Sequence, residues 1–97
     1  MEQQASVTVR VTGFVQGVGF RFFAEKWAKR LKLTGYAMNR RDGSVLVEVE
    51  GRRGNLLAFL DQLKKGPPGA IVEGFEVTWG PYQGRFTDFS IRFEGWS

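Results

Sequence analysis

The segment from Gly13 to Arg21, near the start of the chain, constrains the fold more than any other stretch. It reads Gly-Phe-Val-Gln-Gly-Val-Gly-Phe-Arg, with three glycines in seven residues. The alternating valines before it are Val7, Val9 and Val11, and the apolar residues at helical spacing after it are Ala24, Trp27, Ala28 and Leu31. Alternation indicates a half-buried strand and the later spacing an amphipathic helix. The sequence therefore predicts a strand, a glycine-rich loop and a helix.

A loop of this kind suits phosphate or a similar oxyanion. Glycine tolerates positive φ, so several backbone N–H groups can face one concave turn. The start of the next helix adds unpaired N–H groups and a partial positive charge, and Arg21 adds a full charge. The alternative is an ordinary turn beside a solvated arginine, and this segment alone does not decide between them. It matches neither the Walker loop nor the dinucleotide fingerprint.

The residue types that are missing narrow the possible chemistry. The 97 residues include no cysteine and no histidine, which excludes disulfides, thiol catalysis and nucleophiles activated by histidine. An enzyme of this composition would act by positioning and electrostatics, or with carboxylates alone. The net charge of +4 favours anionic ligands but does not establish binding to nucleic acid.

Length and composition fit one globular domain over residues 1–97. No apolar run approaches the roughly 20 residues of a membrane span. The first residues, Met-Glu-Gln-Gln, lack the basic and apolar regions of a signal peptide. We therefore expect a cytoplasmic protein that does not contact the membrane.

Apolar periodicity and turn residues predict five strands and two helices. The strands lie over 7–12, 36–39 and 44–50 and near 75–79 and 89–93. The first helix runs from 22 to about 33 and is ended by Gly35, and the second is capped by Asn55. We also predict a frayed segment over 1–6, a turn at Asp42–Gly43 and a connector over 51–54. The alternation over 44–50 puts Glu48 and Glu50 on the polar face of their strand.

This order, β-α-β-β-α-β with a closing strand, predicts an α+β fold of the ferredoxin-like βαββαβ sandwich type. Two helices would cover one face of a mostly antiparallel sheet. In that topology the first two strands are parallel, with the third between them. Their carboxyl ends therefore lie at one edge, which would bring Asn39 beside the glycine loop and Arg21. Asn39 is also compatible with an ordinary turn role.

Two long motifs in this chain resemble those of the acylphosphatases. The run over 11–21 (Val-Thr-Gly-Phe-Val-Gln-Gly-Val-Gly-Phe-Arg) is similar to the first signature of that family. The run from Gly35 to Val45, continuing to Gly51, is similar to the second, and residues 89–93 resemble the last strand. Gly19 and Phe14 occupy variable places in the first motif. The resemblance covers nearly the whole chain.

The resemblance implies an acylphosphatase, which hydrolyses the carboxyl-phosphate bond of acyl phosphates to a carboxylate and inorganic phosphate. The family's catalytic arginine and asparagine fall on Arg21 and Asn39. Its phosphate-binding residues correspond to Gln16, Gly17, Val18, Gly19, Phe20 and Arg21. It implies no metal ion and no cofactor. We expect a monomer whose partners are a small acyl phosphate and the phosphate product.

Two other functions share this fold. RNA-recognition domains place exposed aromatic residues on the two central strands. Here those strands present Thr8, Arg10 and Thr12, and Leu46, Glu48 and Glu50, so we expect no nucleic acid partner. A non-catalytic partner domain, like the acylphosphatase-like module of larger maturation proteins, is the second alternative. The intact pair of Arg21 and Asn39 weighs against it.

Overall fold

A computed structural model describes residues 3–95. The elements are β1 (Gln4–Phe14), α1 (Phe20–Arg30), β2 (Thr34–Asn39), β3 (Val45–Arg52), α2 (Arg53–Lys65), β4 (Ile71–Pro81) and β5 (Phe89–Phe93). The predicted order of strands and helices is confirmed, and β4 is longer than predicted. The first helix begins at Phe20, two residues earlier than predicted, so Arg21 lies inside its first turn.

The five strands form one sheet in the order β4-β1-β3-β2-β5. Neighbouring strands are antiparallel except β2 and β5, which are parallel. Asn39 on β2 lies opposite Val45 on β3, and Val45 lies opposite Val11 on β1. The carboxyl ends of β1 and β2 therefore share an edge, as the ferredoxin-like topology predicts.

The core lies between the sheet and the two helices. Alternate valines of β1 and β3 face it, and the helices add their buried stripes, which consist of Phe20, Ala24 and Ala28 on α1 and Leu56, Phe59 and Leu63 on α2. Burial of these apolar side chains is the main force that holds helices to sheet. Within residues 3–95, both helices are too short and too polar to cross a membrane.

The first helix ends before Gly35, so the predicted stop at that glycine is wrong. Lys32 adopts a left-handed conformation with φ of 58°. The N–H of Leu33 donates to the carbonyl of Ala28 over 2.8 Å, and the N–H of Lys32 to that of Lys29 over 3.2 Å. These bonds form a Schellman ending, which satisfies the last carbonyls of the helix.

Gly35 instead lies inside β2, where the sheet leaves no space for a side chain. A Cβ atom on it would approach the carbonyl oxygen of Glu48 to within 1.9 Å, and its φ is 148°. The glycine therefore serves strand packing rather than helix termination.

The predicted starts of β1 and α2 are also wrong. Residues 4–6 are not frayed, because all three pair with β3 and residues 5 and 6 also pair with β4, whereas residues 1 and 2 lie outside the described chain. The second helix begins at Arg53, without a connector and without Asn55 as its cap. The N–H of Arg53 donates instead to the carbonyl of Gln3 over 2.8 Å. A backbone group distant in sequence thus satisfies a donor that a capping side chain would otherwise serve.

The face of the sheet opposite the helices is partly covered by the loop between β4 and β5. Glu50 lies on this face, as the alternation predicts, but it is only 1% exposed. Its carboxylate accepts hydrogen bonds from the N–H groups of Gln83 and Arg85, at 2.8 and 2.9 Å. Beside it, the hydroxyl of Tyr36 donates to Glu48 over 2.6 Å. Burial and this carboxylate raise the pKa of Tyr36 to about 12.

Candidate active site

The loop between β1 and α1 turns tightly because its glycines adopt left-handed conformations. Gly17 and Gly19 have φ of 76° and 77°, which residues with a side chain adopt only at a cost. Gly19 is the N-cap of α1, and its carbonyl accepts the N–H of Phe23 over 3.0 Å. Within residues 3–95, a Cβ atom at either glycine would meet nothing within 4 Å. The glycines are therefore required by backbone conformation rather than by crowding.

The side chain of Gln16 fixes this loop to the turn between β2 and β3. Its Nε2 donates to the carbonyl of Arg40 over 2.7 Å and to that of Ser44 over 2.9 Å. Both amide hydrogens are thus used within the protein. The sequence motif implied that the backbone of Gln16 binds phosphate, and it did not indicate this role for the side chain.

Arg21 lies on the first turn of α1, and its side chain bonds to β5, an outer strand of the sheet. Its Nη1 donates to the backbone carbonyl of Arg92 on β5 over 3.0 Å. One arm of the guanidinium is thereby fixed. A guanidinium carries five N–H donors, so further donors remain for a ligand. This hydrogen bond was not predicted from the sequence, because Arg21 and Arg92 are 71 residues apart.

Asn39 ends β2 on the face of the sheet that the helices cover. It is 8% exposed, and among residues 3–95 its buried Oδ1 has no hydrogen-bond partner. The carbonyl of Asn39 accepts the N–H of Glu94 over 2.9 Å, which continues the pairing of β2 with the end of β5. A buried polar atom without a partner is costly, so this oxygen is suited to accept a hydrogen bond from a ligand or water.

Arg21, Asn39 and part of the loop line one cavity of about 170 Å³. It is lined by Val15, Gly17, Gly19, Phe20, Arg21, Phe22 and Asn39. The structure thus brings together the predicted pair of Arg21 and Asn39, with three of the predicted loop residues. Gln16 and Val18 are not among the lining residues. Phe22, by contrast, lines the cavity and was not predicted as a site residue.

Asp42, the carboxylate closest to Asn39 in sequence, is occupied by structural contacts. It accepts hydrogen bonds from the N–H and Oγ of Ser44, at 2.9 and 2.6 Å, and forms an ion pair with Arg10 at 3.0 Å. The Ser44 hydrogen bonds and the Arg10 guanidinium hold the pKa of Asp42 well below its usual range. Within residues 3–95, no three acidic side chains cluster as metal ligands would.

A family model for acylphosphatases matches residues 7–91. The chain belongs to the acylphosphatase family. Family membership confirms the enzyme class that the two motifs indicate. An acylphosphatase of Thermotoga maritima is 43% identical over 88 residues, which are 91% of this chain and 97% of that one.

Solved structures of acylphosphatases share the fold. The acylphosphatase of Bacillus subtilis superposes with a TM-score of 0.87 and 37% identity, over 90% of this chain and 97% of that one. HypF of T. kodakarensis superposes with a TM-score of 0.80 and 36% identity, over 94% of this chain but 12% of that one. This acylphosphatase fold therefore occurs both in short chains and as part of a much longer protein.

Proposed function

We propose that this acylphosphatase hydrolyses the carboxyl-phosphate bond of small acyl phosphates, with Arg21 and Asn39 as its catalytic residues. The observation that carries the proposal is the shared cavity, which both residues line together with Gly17 and Gly19. A carboxylate is a good leaving group, so the reaction needs no general acid. Such chemistry is compatible with a chain that contains no histidine.

In this mechanism the phosphoryl group lies at the N-terminus of α1. The N–H groups of the loop over 16–20 and the free donors of Arg21 would bind its oxygens. Phosphoryl transfer depends mainly on positioning and on stabilisation of charge at the equatorial oxygens. Preorganised donors are effective in this role because they need not reorient as charge develops. The bond from Arg21 to the Arg92 carbonyl supports this proposal, since it holds the guanidinium in place.

Asn39 would orient the attacking water. Its Oδ1, which has no partner within residues 3–95, would accept a hydrogen bond from that water and direct the oxygen lone pair at phosphorus. A bond then forms between the water oxygen and phosphorus, while the bond to the carboxyl oxygen breaks and the carboxylate leaves with the electron pair. The proton of the water passes to the phosphate. No separate base is required.

We further propose that the reaction uses neither a metal ion nor a cofactor and that the protein acts as a monomer in the cytoplasm. Asp42 supports the first part, because its oxygens are committed to Ser44 and Arg10. Arg21 and the loop supply the positive charge that a metal ion provides in many phosphoryl-transfer enzymes.

Hydrolysis of benzoyl phosphate in EDTA tests this proposal. We expect turnover by the wild type, and near loss of turnover together with weaker inhibition by phosphate in Arg21→Ala. Asn39→Ala should lower kcat with the phosphate inhibition constant largely unchanged. Arg30→Ala is the control, since it removes the same charge from an exposed position of α1. Full activity in Arg21→Ala, or activity that disappears in EDTA, would contradict the proposal.

A further inference from the structure

Phe22 is a large apolar side chain that lies exposed at the candidate active site. It is the third residue of α1 and directly follows Arg21. The residue is 65% exposed, and it is among the residues that line the same cavity as Arg21 and Asn39. We infer that Phe22 contacts the acyl group of the substrate and selects acyl phosphates with an aromatic acyl group over acetyl phosphate. The inference rests on the proposed function.

Among the described residues, Phe22 takes no part in packing α1 against the core. The buried stripe of the helix consists of Phe20, Ala24 and Ala28, and Phe23 packs against the core beside it. Phe22 belongs neither to the core nor to the side chains packed on it. Exposure of a phenyl ring to water is unfavourable by an amount that scales with its apolar area, so a ligand that covers the ring binds more tightly.

The arrangement of the cavity defines which part of a substrate would meet this ring. Backbone donors at Gly17 and Gly19 and the guanidinium of Arg21 are suited to an anionic phosphoryl group, whereas a phenyl ring offers no hydrogen bond to it. The rest of an acyl phosphate is attached to that phosphoryl group by one oxygen. With the phosphoryl group against the donors, the acyl group extends towards the remaining lining, which includes Phe22.

The chain offers a matched control in Phe14. It is 58% exposed, close to the value for Phe22, and it also belongs to the glycine-rich segment. Phe14 lies at the end of β1 opposite Ile71 and is not among the residues that line the cavity. The effect of losing an exposed phenylalanine from this region can thus be separated from the effect of losing the phenylalanine that lines the cavity.

The test compares kcat/KM for benzoyl phosphate and acetyl phosphate in the wild type, Phe22→Ala, Phe22→Leu and Phe14→Ala. Apolar contacts of this size change kcat/KM by roughly tenfold or more. We expect Phe22→Ala to lower the ratio of benzoyl to acetyl kcat/KM by about tenfold and Phe22→Leu to restore part of it. Phe14→Ala should keep the wild-type ratio. Inhibition by inorganic phosphate, which lacks an acyl group, should be much less affected by Phe22→Ala than the benzoyl kcat/KM.

Two results would overturn the inference. The first is an unchanged ratio in Phe22→Ala, including the case in which both substrates lose activity equally. The second is an equal change of the ratio in Phe14→Ala. Failure of the proposed function is distinguishable, because the wild type would then hydrolyse neither acyl phosphate.

Discussion

The Nη1 of Arg21 on α1 donates a hydrogen bond to the carbonyl of Arg92 on β5 over 3.0 Å. The contact ties the first turn of the helix to the last strand of the sheet. Asn39 lies on β2, the neighbour with which β5 pairs in parallel. The side chains proposed to bind the phosphoryl group and to orient water are therefore positioned through the same pair of strands.

This arrangement predicts that lysine cannot replace Arg21. Lysine keeps the positive charge, but its single ammonium group lacks the planar fork that can bond Arg92 and a phosphoryl group together. We expect kcat/KM of Arg21→Lys to fall by roughly 10²-fold or more, as when one oxyanion donor is lost. Steady-state kinetics with benzoyl phosphate measures this effect. Activity within a fewfold of the wild type would mean that charge alone suffices.

The side chain of Gln16 is predicted to position the loop rather than to bind phosphate. Gln16→Met keeps the approximate length but loses both hydrogen bonds to the turn. Misplacement of the loop by about 1 Å would weaken inhibition by phosphate and lower kcat/KM by up to about 10²-fold. The control is Gln83→Met, at an exposed position between β4 and β5. Equal kinetics in both variants would show that Gln16 has no positioning role.

Glu50 is predicted to stabilise the loop between β4 and β5. In Glu50→Gln one amide oxygen must replace two carboxylate acceptors, so the N–H of Gln83 or Arg85 loses its partner. We expect a loss of about 1.5–3 kcal/mol in the free energy of unfolding, measured with urea. Glu76→Gln is the comparison, because Glu76 forms an exposed ion pair with Arg10, and it should cost at most about 1 kcal/mol. Equal losses would contradict the structural role of Glu50.

The lowered pKa of Asp42 predicts how the free energy of unfolding depends on pH. Its pKa is lower in the folded protein than in the unfolded chain, because of the Ser44 hydrogen bonds and Arg10. Its contribution to stability is therefore complete above the ordinary aspartate pKa of about 4 and is lost as pH falls through the lower folded value. In Asp42→Asn, the free energy of unfolding should decrease less steeply below about pH 4.

Urea unfolding at a series of acidic pH values measures this slope. Asp61→Asn is the control, since Asp61 is exposed on α2 and has no ion-pair partner in the described part of the chain. It should retain the wild-type slope. A slope in Asp42→Asn equal to that of the wild type would contradict the assignment.

Local patterns in the sequence were sufficient to predict the order of the central strands and the edge at which Asn39 and Arg21 meet. Alternating valines identify β1 and β3, because a side chain on every second residue of a strand faces the core. The order of elements then places the end of β2 beside the end of β1. Asn39 and Arg21 line one cavity in the structure, as that topology requires.

Features that depend on distant parts of the chain were not predictable. Glu50 follows the polar alternation of β3, yet the loop around Gln83 buries it. Gly35 resembles a helix stop in sequence, but its conformation serves close contact with Glu48. The N–H of Arg53 bonds Gln3, so no capping side chain marks the start of α2. In each case a tertiary contact replaces the local signal.

The fate of solvent oxygen tests the central claim most directly. Benzoyl phosphate should be hydrolysed by the wild type in water enriched in ¹⁸O, and both products analysed by mass spectrometry. If water oriented by Asn39 attacks phosphorus, one ¹⁸O atom enters inorganic phosphate and none enters benzoate. Label in benzoate would show attack at the carbonyl carbon and would contradict the proposed roles of the loop, Arg21 and Asn39.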